Sequence, residues 1–85
     1  MKEFKYIIRD PEGIHARPAG LLVKKANEYT STVTLSVNGK EADAKRIFGV
    51  MGLGAKKDME LFVKIEGEDE EVAAQSIKSF LEENL

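Results

Sequence analysis

Thr32-Val33-Thr34-Leu35-Ser36-Val37-Asn38-Gly39-Lys40-Glu41-Ala42-Asp43 is the stretch from which the rest of this 85-residue chain can be read. Val33, Leu35 and Val37 alternate with Thr32, Thr34 and Ser36. In an extended chain this puts the branched apolar side chains on one face and the hydroxyls on the other. Asn38-Gly39 follows directly and supplies the two residues best suited to a two-residue turn between antiparallel strands. Lys40 to Asp43 is therefore expected to return as a short strand.

Outward from this hairpin, the same two periods assign the remaining elements. Towards the N-terminus, Ala19, Leu22, Val23 and Ala26 fall at i, i+3, i+4 and i+7, one buried stripe of a helix that begins near Ala16. Pro18 sits in its first turn, where a missing N–H costs nothing. Further back, Phe4, Tyr6 and Ile8 alternate with Lys5, Ile7 and Arg9 as a first strand, and Asp10-Pro11-Glu12-Gly13 ends it with turn chemistry. Towards the C-terminus, Ile47, Val50 and Met51 repeat at helical spacing, with Gly54 placed to close a short helix. Met59, Leu61, Val63 and Ile65 share one face of a fourth strand, with Glu60, Lys64 and Glu66 opposite. Asp69 is a candidate cap for a last helix whose stripe is Ala73, Ile77, Phe80 and Leu81. The order β-α-β-β-α-β-α, with one-sided helices and one-sided strands, predicts an α+β two-layer open-faced sandwich: a four-stranded antiparallel sheet covered on one face by helices. No linker or repeat interrupts residues 1–85, so a single domain is expected.

Composition narrows the function. With 42% hydrophobic and 33% charged residues, the chain is neither disordered nor fibrous. No cysteine is present, which excludes disulfides and thiolate metal sites, and one histidine cannot anchor zinc without several carboxylates. No metal and no cofactor are expected. No apolar run approaches the ~20 residues that span a bilayer, and the N-terminus has no signal-peptide profile. Membrane insertion is not expected, and a cytoplasmic location is. The net charge of −2 is unevenly spread: residues 1–58 carry +4 and residues 59–85 carry −6. The basic part suits docking on an acidic protein surface. Its cations are dispersed and not interleaved with aromatics, which argues against nucleic acid.

Gly13-Ile14-His15-Ala16-Arg17-Pro18-Ala19-Gly20 holds the chemistry. His15 falls where a turn becomes a helix, at or beside the N-cap. The first N–H groups of a helix have no partner inside it, and with the macrodipole they favour an anion. Arg17 adds a permanent cation suited to phosphate oxygens. Pro18 contributes no donor, leaving the N–H groups around Ala16 and Arg17 to face the anion. Gly13 allows a sharp turn, and Gly20 leaves room for close approach. A neutral imidazole here is a nucleophile whose phosphorylated form would carry its new charge in a site built for anions. On spacing alone, a single histidine near a helix start is most often a solvated or capping residue.

The heptapeptide Gly13-Ile14-His15-Ala16-Arg17-Pro18-Ala19 resembles the active-centre signature of the HPr family of phosphocarriers. The family's second signature has a counterpart in Lys45-Arg46-Ile47-Phe48-Gly49-Val50-Met51-Gly52-Leu53-Gly54, and the resemblance runs essentially end to end. It implies the HPr fold and a carrier that is not itself an enzyme. It also implies that enzyme I, which draws on phosphoenolpyruvate, loads His15 on Nδ1, and that the group passes to IIA domains of sugar permeases. Carried over, His15 is the phosphohistidine, Arg17 the phosphate-stabilising cation, and Ala16 and Pro18 shape the helix start.

The resemblance further implies a docking patch of Ala16, Ala19, Gly20, Ile47, Phe48 and Met51, with Lys24, Lys45 and Arg46 at its rim. Ile47, Val50 and Met51 can equally be core, which is the preferred reading for Val50. Phe48 lies off their stripe and is expected to be exposed. Gram-positive HPr proteins carry a regulatory serine where this chain has Arg46, so the seryl switch is expected to be absent. Gly52 also replaces a serine common in the family. A cation at a helix start is unfavourable by roughly 0.3–1 kcal/mol. Asp43 or Glu41 is expected to offset it, or Arg46 is kept for an acidic partner. Two other readings remain: a regulatory phosphorelay protein of the same fold, and an unphosphorylated binding module. A small charged domain of this kind is expected to be a monomer.

Overall fold

The computed structural model describes residues Met1 to Leu85. Its elements are β1 (Lys2–Ile7), α1 (Ala16–Ala26), β2 (Thr32–Val37), β3 (Lys40–Asp43), α2 (Ile47–Gly52), β4 (Glu60–Glu66) and α3 (Glu70–Asn84), the order expected from the periodicities. The turn between β2 and β3 has positive φ at both Asn38 (50°) and Gly39 (84°), the combination that a type I′ turn requires.

The four strands form one antiparallel sheet in the order β1-β4-β2-β3. Phe4, Val63, Leu35 and Ala42 stand opposite one another across the sheet on the helix side. The next row, Lys5, Phe62, Ser36 and Glu41, lies on the open side. Leu22 of α1, Leu35 and Leu61 of the sheet, and Ile77 and Leu81 of α3 are fully buried between the layers. A fully buried Leu or Ile side chain contributes about 1.5–3 kcal/mol, so this interlayer cluster is what holds helices to sheet. α1 packs on both α2 and α3. Val50 is fully buried, as its stripe predicted, and Gly54 follows the C-cap residue Leu53.

Asp69 departs from expectation. It occupies the N-cap position of α3, yet its carboxylate makes no cap bond there. The carboxylate accepts the N–H groups of Thr30 and Ser31, both at 2.9 Å, and the Ser31 hydroxyl. Ser31 is buried, and a hydroxyl shielded from water must find a partner inside the protein. Just ahead of α3, Glu70 and Gly67 bond reciprocally: the Glu70 carboxylate accepts the Gly67 N–H at 3.1 Å, and the Glu70 N–H donates to the Gly67 carbonyl at 3.3 Å. Asp69 thus ties α3 to the connection before β2.

The Ser31 hydroxyl first, and the Thr30 N–H next, hold the Asp69 pKa from its ordinary 3.8 down to about 2. A carboxylate with a depressed folded pKa stabilises the fold above its unfolded pKa and loses that contribution as pH falls through the folded one. Asp69→Asn is therefore expected to lower denaturant stability near neutral pH, with the deficit shrinking between about pH 4 and pH 2. A deficit that stays constant over that range in parallel unfolding curves would disprove the coupling.

Candidate functional site

The segment leading to His15 is held from three sides. The N–H groups of Arg9 and Asp10 donate to the Leu85 carbonyl at 2.6 and 2.9 Å, anchoring the loop on the end of α3. The Asp10 side chain accepts the Glu12 N–H at 2.8 Å, and its carbonyl accepts the Gly13 N–H at 2.9 Å. The Ile14 N–H donates to the Ala55 carbonyl at 3.0 Å, and the Ile14 side chain is buried. Gly13, at φ 67°, passes so close to the 55–56 backbone that a Cβ would lie 2.3 Å from the Ala55 carbonyl oxygen. The glycine is required both by that approach and by its left-handed conformation.

His15 is the N-cap residue of α1 (φ −95°, ψ −175°), but its ring makes no capping bond. Its carbonyl accepts the Ala19 N–H at 2.9 Å and so starts the helix, which leaves the imidazole free. The ring is 38% exposed and so accessible to an incoming group. The N–H groups of Ala16 and Arg17 have no acceptor within the protein, and Pro18 has no N–H. Two donors therefore remain at the positive end of α1. The Arg17 guanidinium is exposed and pairs with no carboxylate, so it is available to an anion. Asp10, His15, Arg17, Pro18, Leu21 and Asn84 line one concavity of about 230 Å³. A larger hollow of about 450 Å³ lies over the open sheet face around Phe62, and no histidine or other strong nucleophile lines it.

Sequence reasoning missed four contributors. Glu12 Oε2 lies 3.7 Å from His15 Nδ1, and Asp10 Oδ2 lies 3.9 Å from Nε2. Both belong to the turn that ends β1, and their placement three and five positions before the histidine is a usable signal. Asn84 and Leu85 reach the site from the far end of the chain, for which no local pattern exists.

Among the residues expected on the docking patch, Ala16, Gly20, Lys24 and Arg46 are exposed and Ile47 is half-buried. Phe48 is 87% exposed, and Met51 is also open to solvent. Ala19 is not on the surface. It is fully buried beneath α1, because it belongs to the same apolar stripe as Leu22 and Ala26. Gly20 faces open space and has nothing within 4 Å of where its Cβ would stand, so no close approach requires it. Lys45 is half-committed: its ammonium donates to the Tyr29 carbonyl at 2.8 Å. Arg46 caps α2 by position only, and no carboxylate pairs with it, so the expected offset by Asp43 or Glu41 is not a direct contact. The Asp43 carboxylate instead accepts the Lys45 N–H at 2.9 Å.

A model of the family described as "PTS HPr component phosphorylation site" matches residues 2–83. The chain belongs to the HPr family. It is 41% identical over 85 residues to the phosphocarrier protein HPr of Mycoplasma pneumoniae, covering 99% of this chain and 97% of the relative. A solved histidine-containing phosphocarrier protein of a mycoplasma superposes with a TM-score of 0.94 at 35% identity, covering 96% and 93% of the two chains. HPr from Thermoanaerobacter tengcongensis gives 0.92 at 35% identity, covering 96% and 92%. A dimer of the T. tengcongensis protein has also been solved, with a TM-score of 0.77 at 35% identity and coverage of 98% and 95%. As an HPr, the chain is a phosphocarrier of the phosphotransferase system, a carrier rather than an enzyme. No helix is long and apolar enough to cross a membrane.

Proposed function

We propose that His15 receives a phosphoryl group on Nδ1 from enzyme I and delivers it to IIA domains of sugar permeases in the cytoplasm. The observation that carries this reading is the free imidazole at the start of α1, beside two unpaired N–H groups and an unpaired guanidinium. The Nδ1 lone pair forms the P–N bond as the donor's bond to phosphorus breaks and the donor keeps its electron pair. The Ala16 and Arg17 N–H groups and the Arg17 side chain then meet the charge on the transferred oxygens, in the manner of an oxyanion site. Pro18 is buried in the first turn and sets its geometry. The test is transfer of label from phosphoenolpyruvate through enzyme I, read as acid-labile, base-stable phosphate.

Phe48 and Met51 on α2, which packs beside α1, provide an apolar contact, with Lys24 and Arg46 as cations at its edge. Lys45 plays a smaller part because its ammonium is already bonded. The exposed large apolar side chains are otherwise dispersed over the sheet and helices, which supports a monomeric carrier. Position 46 has no hydroxyl, so the ATP-dependent kinase that modifies the regulatory serine of other HPr proteins has no acceptor there. With its cation unpaired, Arg46 serves partner docking. Arg46→Ala is expected to weaken enzyme I binding about two- to fivefold at low salt, the scale of one exposed charge pair, with the difference fading at high salt. Equal titration curves for both proteins at low salt would remove Arg46 from the interface.

A further inference from the structure

A carrier must release its cargo as readily as it accepts it, and most of this site favours retention. The unpaired N–H groups and Arg17 all attract a phosphoryl anion. Glu12 opposes them. Its carboxylate oxygen lies 3.7 Å from Nδ1, the nitrogen that receives the group on the reading above. No lysine or arginine neutralises it within 4 Å, and its side chain is 74% exposed. Its backbone is not free to drift, because the Glu12 N–H is held by Asp10 Oδ1 at 2.8 Å and the next residue is bound to the Asp10 carbonyl. The other nearby carboxylate differs in kind. Asp10 Oδ2 faces Nε2, the nitrogen that keeps its proton, and so attracts the ring instead of opposing the cargo.

We propose that Glu12 is a positioning residue for discharge, raising the transfer potential of the phosphoryl group on His15 and shortening the life of the phosphohistidine. The proposal rests on His15 as the carrier. On loading, the new P–N bond at Nδ1 brings the phosphoryl oxygens up to the carboxylate of a residue whose backbone is tethered beside the ring, and like charges a few ångströms apart repel. On discharge the P–N bond breaks, its electron pair returns to Nδ1, and the phosphoryl group passes to the acceptor's nucleophile. When water is the acceptor, both its protons go with the released phosphate. Either route separates the two anions, so Glu12 drives the group off while the Ala16 and Arg17 side of the site retains it.

The full-length protein is equilibrated with enzyme I, phosphoenolpyruvate and pyruvate, and the loaded fraction is read by phosphorus NMR. Glu12→Gln is expected to shift the equilibrium about three- to tenfold towards the loaded form, the effect of roughly one unit charge at this distance in water. The half-life of the isolated phosphoprotein should lengthen in the same direction. Glu12→Asp should retain part of the parent behaviour. In 1 M salt, where screening acts within about 3 Å, the difference between parent and Glu12→Gln should largely vanish. An equilibrium unchanged within twofold, a shift towards the unloaded form, or a difference indifferent to salt overturns the proposal. A parent protein that takes no label overturns the carrier reading itself, a separate result from a labelled parent with an unaltered variant.

Discussion

His15→Ala incubated with enzyme I and labelled phosphoenolpyruvate will carry no acid-labile phosphate, while the parent approaches one label per chain. The effect is all-or-none because His15 is the only histidine in the sequence, and no other side chain at the start of α1 offers a neutral nitrogen nucleophile. The comparison is clean because the imidazole makes no hydrogen bond and caps nothing, so removing it leaves the fold intact. Its unfolding free energy should change by no more than about 0.5 kcal/mol, as for an ordinary surface substitution. Label persisting in the folded variant would place the phosphoryl group elsewhere. Arg17→Ala should give a graded result, slower loading without its abolition, since the two backbone donors remain.

Gly13→Ala will damage both stability and loading. An added Cβ would lie 2.3 Å from the Ala55 carbonyl oxygen and 2.7 Å from the Lys56 Cα, and both are backbone atoms that cannot swing aside. The residue would also have to hold φ at 67°. Left-handed strain combined with a backbone clash costs about 2–4 kcal/mol. For a domain of this size that lowers the melting temperature by roughly 10–25 °C. Whatever relaxes the clash must lift the 13–14 segment off Ala55, and His15 moves with it, so the surviving folded protein should also load slowly. Gly20→Ala is the control. Its Cβ would meet open space on a helix, so it should stabilise by about 0.5–1 kcal/mol. Thermal unfolding of the two variants in parallel decides the matter, and a Gly13→Ala melting temperature within a few degrees of the parent refutes the steric account.

Much of the site could be read locally because its chemistry is local. His15, Ala16, Arg17 and Pro18 are consecutive, and the unpaired N–H groups follow from being first in a helix, wherever that helix lies. Ala19 shows where such reading goes astray. The signature marked it as contact surface and the helical period marked it as core, and burial of the Leu22 stripe decided for the core. Arg46 shows the converse. Two nearby acids in the chain suggested an internal partner, but neither carboxylate pairs with it, and Asp43 accepts the Lys45 N–H. Glu12 was visible in the sequence, yet its bearing on Nδ1 depends on a loop held by hydrogen bonds to Asp10.

Residue periods alone determined the seven elements, their order and the Asn38-Gly39 hairpin, because a strand's two faces and a helix's stripe are properties of the local backbone. Tertiary structure decided the sheet order β1-β4-β2-β3, since which strands pair across the sheet depends on burying all of them against α1 and α3 at once. It also sent the Asp69 carboxylate to buried Ser31 rather than to its own helix, an exchange set by the need to satisfy a hydroxyl cut off from water. And it brought Asn84 and Leu85, some seventy residues away in the chain, to the loop that carries His15, because α3 packs over β1 and β4 to bury Ile77 and Leu81 and its last turn meets the loop after β1.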